Sequence, residues 1–310
     1  MKLPKVTIVG AGNVGAAAAL CLAESGICHV VLVDIAQGVP QGKALDIAQA
    51  MPVVGSDGSV RGANDYSITN DSDIVVIAAG IPRKPGMSRE DLLEINAKIV
   101  RQVTENVLKY SKKTILIVVS NPLDAMVYVA HHTSKLPKSH VMGMAGCLDT
   151  ARFKRFIADK LNVSVKSVTT IVLGGHGDTM IPLIRLTNVN GMPLTELLSS
   201  KEIQVLIERT RNGGGEFLPL LNTSAWVAPG RSIAQMVNAI VLDKKEVLPV
   251  AALLEGEYGH NGFFIGVPCI LGAGGIEKII ELKFTDDEKK LFDLTASKVN
   301  ETVQAVKKFL

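Results

Sequence analysis

The chain opens with a short β-branched run, residues 5–9, then Gly10-Ala11-Gly12-Asn13-Val14-Gly15, then an alanine-rich stretch, 16–24. That order predicts a strand, a tight turn and a helix. A second apolar run, 29–33, ends on Asp34; the runs 73–79 and 114–119 repeat the pattern, and 141–142 adds a short strand. Their apolarity is continuous rather than alternating, as in strands covered on both faces of a parallel sheet. Helical patterns fall between them. In 91–109, Leu92, Ile95, Ile99, Val103 and Val107 recur every three or four residues, which predicts one buried helical face. Residues 42–51 are a second helical candidate, stopped by Pro52. Strand and helix alternate to residue 143, so 1–143 reads as a doubly wound α/β domain.

Beyond that point the texture changes, and 144–310 reads as a mixed α+β domain. Residues 147–161 pattern as a helix, 168–173 and 181–186 as extended chain, and Asn190-Gly191 as a hairpin turn. Residues 201–212 form a helix ended by Gly213-Gly214-Gly215, and 232–242 form another. The runs 247–254 and 263–270 read as paired strands. Thr285 and Glu288 make a capping box for a last helix, whose inner face is Phe292, Ala296, Val299, Val303 and Val306.

Composition fits a globular chain: 310 residues, 47% hydrophobic and 20% charged, more than one domain core ordinarily holds. A net charge of +3 with no run of basic residues argues against a nucleic-acid partner. Lys2 and Lys5 before the apolar stretch 6–23 superficially imitate a secretory leader. Gly10, Gly12, Asn13 and Gly15 interrupt it, however, and a strand–turn–helix accounts for every residue. No stretch approaches the ~20 apolar residues of a membrane helix, so a cytoplasmic location is expected. Cys21, Cys28, Cys147 and Cys269 show no metal-ligand spacing. They read as buried thiols in a reduced compartment, with no metal site.

Gly10, Gly12 and Gly15 form G-x-G-x-x-G directly after a strand and at the start of a helix. The first glycine permits the turn, the second lets a pyrophosphate approach the backbone, and the third allows close helix–strand packing. The helix N-terminus supplies unpaired N–H groups for the anion. Asp34 follows Gly15 by 19 residues, where a carboxylate accepts hydrogen bonds from a ribose 2′-hydroxyl and repels a 2′-phosphate. The cofactor expected is NAD rather than NADP.

Four further segments carry polar groups that packing alone does not require. They are the loop with Arg83 and Arg89, the run Ser120-Asn121-Pro122-Leu123-Asp124, the pair Asp149 and Arg152 on one helical face, and Gly174-Gly175-His176-Gly177-Asp178. Singly, a loop arginine is usually solvated, an Asp–Arg pair at this spacing is usually a surface ion pair, and a lone histidine is usually structural. Behind a dinucleotide fingerprint they support one another.

These segments together resemble the lactate/malate dehydrogenase superfamily over essentially the whole chain, most closely its lactate-dehydrogenase-like malate dehydrogenases. The resemblance implies a Rossmann domain followed by a substrate domain, and NAD-dependent oxidation of malate to oxaloacetate. It casts His176 as the acid–base and Asp149 as the carboxylate that orients it. Arg152, Arg89, Arg83 and Asn121 become substrate-binding residues, and Gly10, Gly12, Asn13, Gly15, Asp34, Asn96 and Asn121 cofactor-binding residues. It also implies a homodimer or homotetramer, with 42–51 and 232–242 as candidate mating helices. Arg83 favours malate, because the lactate enzymes typically carry a neutral glutamine at this loop position. The alternatives are a lactate dehydrogenase or an enzyme for another 2-hydroxy acid, distinguished by comparing pyruvate with oxaloacetate. A non-catalytic NAD-binding protein on the same fold would have no use for His176, Asp149 and Arg152 together.

Overall fold

The computed structural model describes residues 3–82 and 86–310. Strands β1 (Lys5–Val9), β2 (His29–Val33), β3 (Val60–Ala63), β4 (Ile74–Ile77), β5 (Ile115–Val118) and β6 (Val141–Gly143) pair in parallel in the order β6-β5-β4-β1-β2-β3. The strand order reverses between β1 and β4, and ligands bind at the carboxyl edge of such a switch point. The continuous apolarity of the strands has the predicted cause. Ile74 and Val76 of β4 join one core while Val75 and Ile77 join the core on the opposite face.

Helices α1 (Asn13–Ser25), α2 (Val39–Val54), α3 (Arg89–Tyr110) and α4 (Leu123–Ser134) cover this sheet, and α5 (Gly146–Leu161) leads out of it. Three details depart from the sequence expectation. Pro52 does not stop α2; the helix runs two residues further, to a left-handed cap at Gly55. The buried apolar face of α3 is Leu93, Ala97, Val100, Val103 and Val107, while Ile95 is exposed and Ile99 packs partly buried against the same core at the edge of a cleft. The predicted stripe thus holds at Val103 and Val107, whereas in the first turns of α3 Leu93 and Ala97 take the core positions. Strand β3 and helix α4 carry no readable period. β3 buries only Val60, whereas α4 buries nearly every residue of its first two turns and so shows no polar face.

The second half begins with short pieces: β7 (Val168–Thr169), β8 (Val172–Leu173), β9 (Ile181–Pro182), β10 (Asn188–Val189) and β11 (Met192–Pro193). The two extended runs expected here are therefore each broken, and residues 184–186 form a 3-10 turn instead. The Asn190-Gly191 hairpin is present, with both residues at positive φ. Helices α6 (Leu194–Leu197), α7 (Ser200–Asn212), α8 (Leu218–Leu221) and α9 (Val227–Val241) follow, then strands β12 (Glu246–Glu255), β13 (Asn261–Gly272) and β14 (Gly275–Ile279). β12 and β13 pair antiparallel as expected, and β12 also pairs with β6, so one nine-stranded sheet runs through both halves. The chain ends in α10 (Asp286–Val306), which has the predicted Thr285–Glu288 capping box and inner face.

Contact between the halves is close. A Cβ added at Gly230 of α9 would lie 2.7 Å from the Ala17 Cβ of α1. Most of 232–242 is consequently buried in this chain's own core, whereas α2 exposes Leu45, Val53 and Val54. All four cysteines are buried free thiols, and no described helix is long and apolar enough to cross a membrane.

Candidate functional site

Two clefts lie along the carboxyl edge of the sheet. The first, about 310 Å³, is lined by Gly10, Gly12, Asp34, Ile35, Ala78–Ile81 backbone and the α3 residues Ile99 and Val103. Its geometry follows from the glycines. Gly10 has φ +107°, and a Cβ there would sit 2.7 Å from the Ala78 carbonyl carbon. A Cβ at Gly15 would lie 1.9 Å from the Gly10 oxygen, so this position fixes how tightly α1 seats on β1. Gly12 differs: a Cβ there would meet nothing within 4 Å. No packing reason demands glycine at 12, and the open space it leaves lies at the N-terminus of α1, which has no side-chain cap. Asn13 is the first, exposed residue of that helix. A dinucleotide pyrophosphate fits such a cradle.

Asp34 stands at the end of β2. It accepts hydrogen bonds from Ala11 N–H (2.7 Å, to Oδ2) and Ala36 N–H (2.9 Å, to Oδ1). A carboxylate has room for about four such bonds, which leaves acceptor capacity for a ribose. Asn96, expected at the cofactor, is only 1% exposed. Its Oδ1 accepts from Ile81 N–H, and its Nδ2 donates to the carbonyls of Ile81 and Asn121. It ties two loops of the cleft together, and Oδ1 keeps a second acceptor site. Asn121 is exposed and precedes the cis bond to Pro122.

The second cleft, about 330 Å³, brings together Arg89, the start of α4, the turn around His176 and the Lys298–Thr302 side of α10. Three distant elements hold the histidine turn. Gly174 exchanges backbone hydrogen bonds with Gly266 of β13, Gly175 N–H donates to Thr295 Oγ1 of α10, and His176 N–H donates to Asp124 Oδ2 of α4 at 3.1 Å. The ring then reaches Asp149, with Nδ1 2.8 Å from Oδ2. An ionised carboxylate only accepts, so Nδ1 carries the proton, and in the neutral ring Nε2 has the free lone pair. Arg152 Nη1 lies 3.3 Å from the other Asp149 oxygen. Asp149 is 2% exposed and the Arg152 side chain 14%, so this is not the surface ion pair that its spacing alone suggests.

Opposing effects set the proton affinity of the His176 ring. Burial on its own lowers the affinity of the His176 ring for a proton. The Asp149 carboxylate, by charge and by hydrogen bond, and then Asp124 reverse this against the opposing Arg152, and the net shift is upward. Asp124 is pushed up to about 6, chiefly by burial, with the His176 N–H and ring opposing and Asp149 adding. Arg89, the first residue of α3, is exposed at the mouth of this cleft. Arg83 lies outside the described residues. Sequence reasoning assigned no role to Asp124 or Thr295; only the fold shows that they brace the histidine turn. Among the described residues, no group of three His, Cys, Asp or Glu side chains is arranged to hold a metal.

The comparisons agree with this architecture. Residues 4–143 match the family described as lactate/malate dehydrogenase, NAD binding domain, and residues 147–310 match lactate/malate dehydrogenase, alpha/beta C-terminal domain. A malate dehydrogenase of Cytophaga hutchinsonii is 54% identical over 304 residues, covering 97% of each chain. The solved malate dehydrogenase from Salinibacter ruber is 48% identical, with a TM-score of 0.94 over 98% of each chain. A lactate dehydrogenase from Cryptosporidium parvum, solved with lactic acid and nicotinamide adenine dinucleotide, is 38% identical with a TM-score of 0.95 over 99% of each chain. Backbone shape therefore does not separate the two activities. With a dinucleotide cradle at the switch point and an Asp-braced histidine beside it, this chain belongs to the lactate/malate dehydrogenase family.

Proposed function

We propose that the chain is an NAD-dependent malate dehydrogenase that interconverts (S)-malate and oxaloacetate. The observation that carries the reading is the 2.8 Å contact between His176 Nδ1 and Asp149, which leaves Nε2 free to accept the C2 hydroxyl proton. NAD, when bound, supplies the hydride acceptor. Asp149 stabilises the imidazolium that forms, and in the reverse direction His176 returns the proton to the C2 oxygen. Arg152, which spends one Nη group on Asp149, has further N–H groups to fork onto the C1 carboxylate and fix C2 in place. Arg89 polarises the C2 oxygen as charge develops there.

The choice of malate rests on Arg83 and on the malate dehydrogenases of about 50% identity. Oxaloacetate offers a second carboxylate to the loop, whereas pyruvate offers a methyl group. Closing Arg83 over a methyl group would desolvate a cation without a partner, at a cost of roughly several kcal/mol, so selectivity comes as much from rejection as from attraction. NAD is preferred to NADP because the Asp34 carboxylate repels a 2′-phosphate. Gly10, Gly12, Asn13 and Gly15 seat the pyrophosphate, Asn121 bonds the nicotinamide or substrate, and Asn96 positions the loops around them. Residues 1–143 serve as the cofactor half and 144–310 as the substrate half.

A homodimer or homotetramer accounts for the apolar residues that α2 exposes, and a sedimentation measurement tests that. Four unpaired thiols suit a cytoplasmic location. The activity is tested with Arg83→Gln in an NADH absorbance assay. Oxaloacetate kcat/KM is expected to fall by about 10²-fold or more, with pyruvate turnover rising. Unchanged selectivity would remove Arg83 from the reading, and a wild-type preference for pyruvate would replace malate with lactate.

A further inference from the structure

Asp124 is a carboxylate that the family chemistry of His176, Asp149 and Arg152 does not use. It occupies the first turn of α4, lines the histidine cleft and is 9% exposed. No lysine or arginine pairs with it among the described residues. Oδ2 accepts the His176 backbone N–H at 3.1 Å, while Oδ1 is buried with no hydrogen-bond partner. An acid left half-satisfied in such a place costs free energy that an asparagine or an apolar residue would avoid. A structural tether for one N–H needs no charge.

We propose that Asp124 is a second positioning carboxylate for His176, one that tethers the turn through the backbone and uses its charge to balance the protonated ring. The proposal rests on the reading of His176 as the proton carrier. The charge balance around the ring supports it. Among the described residues of the free enzyme, Asp124 from α4 and Asp149 from α5 set two negative charges against the part-buried guanidinium of Arg152, so one negative charge is in excess until the imidazole protonates. The other charged groups lining the cleft are Arg89 of α3, Asp178 of the turn, and Lys298 and Glu301 of α10. Arg89, Lys298 and Glu301 are solvent-exposed, where charges are better screened. Malate oxidation deposits a proton on His176, and that step offsets one unit of the excess negative charge. The N-terminal end of α4 also favours an anion at this position. Burial pushes the Asp124 carboxyl up to about 6, which keeps it ionised at neutral pH, and its charge in turn favours the protonated His176 ring, so the two titrations are coupled.

The test is Asp124→Asn, which retains an acceptor for the His176 N–H and removes only the charge. Without that charge the ring binds its proton less tightly. The acidic limb of kcat/KM for malate oxidation should move down by about one pH unit, and the alkaline fall of oxaloacetate reduction should move down with it. A purely structural role would change the rates but leave both limbs in place, and unmoved limbs overturn the proposal. His176→Ala, assayed in parallel, separates the two readings. If it keeps wild-type turnover, His176 is not the proton carrier and both fall; if it abolishes turnover while the Asp124→Asn limbs stay put, only the role of Asp124 falls. Should Asp124→Asn not fold, histidine-labelled enzyme gives the answer by NMR. With Asp149→Asn removing the other carboxylate, a coupled Asp124 leaves two inflections in the His176 ring titration, and a single inflection overturns the proposal.

Discussion

The glycine-rich cleft and the histidine cleft sit on the same edge of one sheet but are built from different materials. The cradle is backbone: three glycines within six residues, a helix end and one carboxylate held by two main-chain N–H groups. The cleft is side chain: His176, Asp149, Arg152 and Asp124 come from a turn and two helices separated by dozens of residues, and they hold one another by buried charge. A backbone site tolerates little change in shape, whereas a charge cluster tolerates little change in protonation. Perturbations of the two should therefore have different signatures.

The largest effect should come from the cleft. His176→Ala should lower kcat by roughly 10²- to 10⁴-fold while leaving the Kd for NAD and the Tm near wild type, as stopped-flow binding and thermal melts would read. A loss of NAD affinity in proportion to the loss of rate would show that the two regions are not separable. In the cradle, Gly15→Ala must push α1 away from the Gly10 carbonyl. It should cost about 1–3 kcal/mol of stability and weaken NAD together with it. Gly12→Ala sharpens the contrast, because its Cβ meets nothing in the protein. The Tm should hold while NAD binds about 10-fold more weakly, since only the pyrophosphate is obstructed. Equal melting losses at 12 and 15 would break the distinction between a packing glycine and a ligand glycine.

The smallest effect is on stability against pH. The folded-state value of Asp124 is raised to about 6 from the ordinary 3.8, so the folded chain binds more protons than the unfolded chain across that interval. The stabilisation present below 3.8 is lost as pH rises through about 6. The shift of His176 is also upward and has the same sign. Wild type should lose on the order of 1 kcal/mol more than Asp124→Asn between pH 4 and pH 7.5, measured by urea unfolding at each pH. A variant that tracks wild type throughout would mean that Asp124 is ionised at little cost.

The same contrast governs what could be read in advance. G-x-G-x-x-G after a strand and before a helix states a local geometry, and Asp34 lies one strand further on, so the cradle was legible from adjacent residues. The roles of His176, Asp149 and Arg152 came from resemblance as much as from spacing, because i, i+3 on a helix describes surface pairs just as well. Asp124 was visible as a letter in a polar run but not as a neighbour of His176. Its partner is a backbone N–H 52 residues away, and no periodicity encodes that. Asn96 was expected at the cofactor from its place in the sequence, whereas its bonds to Ile81 and Asn121 became visible only in the fold.

By itself the sequence determined β1, β2, β4, β5 and β6 and the helices α1 to α3, the capping box and inner face of α10, and the hairpin at Asn190-Gly191. All of these are written in contacts a few residues long, in the two-residue and 3.6-residue periods of the backbone. Tertiary structure alone decided that α3 leaves Ile95 exposed and buries Leu93 and Ala97, that β12 joins β6 to make the sheet continuous, and that 232–242 packs inside its own chain. It also decided that Asp149 is buried rather than solvated. Burial and charge pairing are properties of a neighbourhood, and the neighbourhood exists only once distant segments have come together.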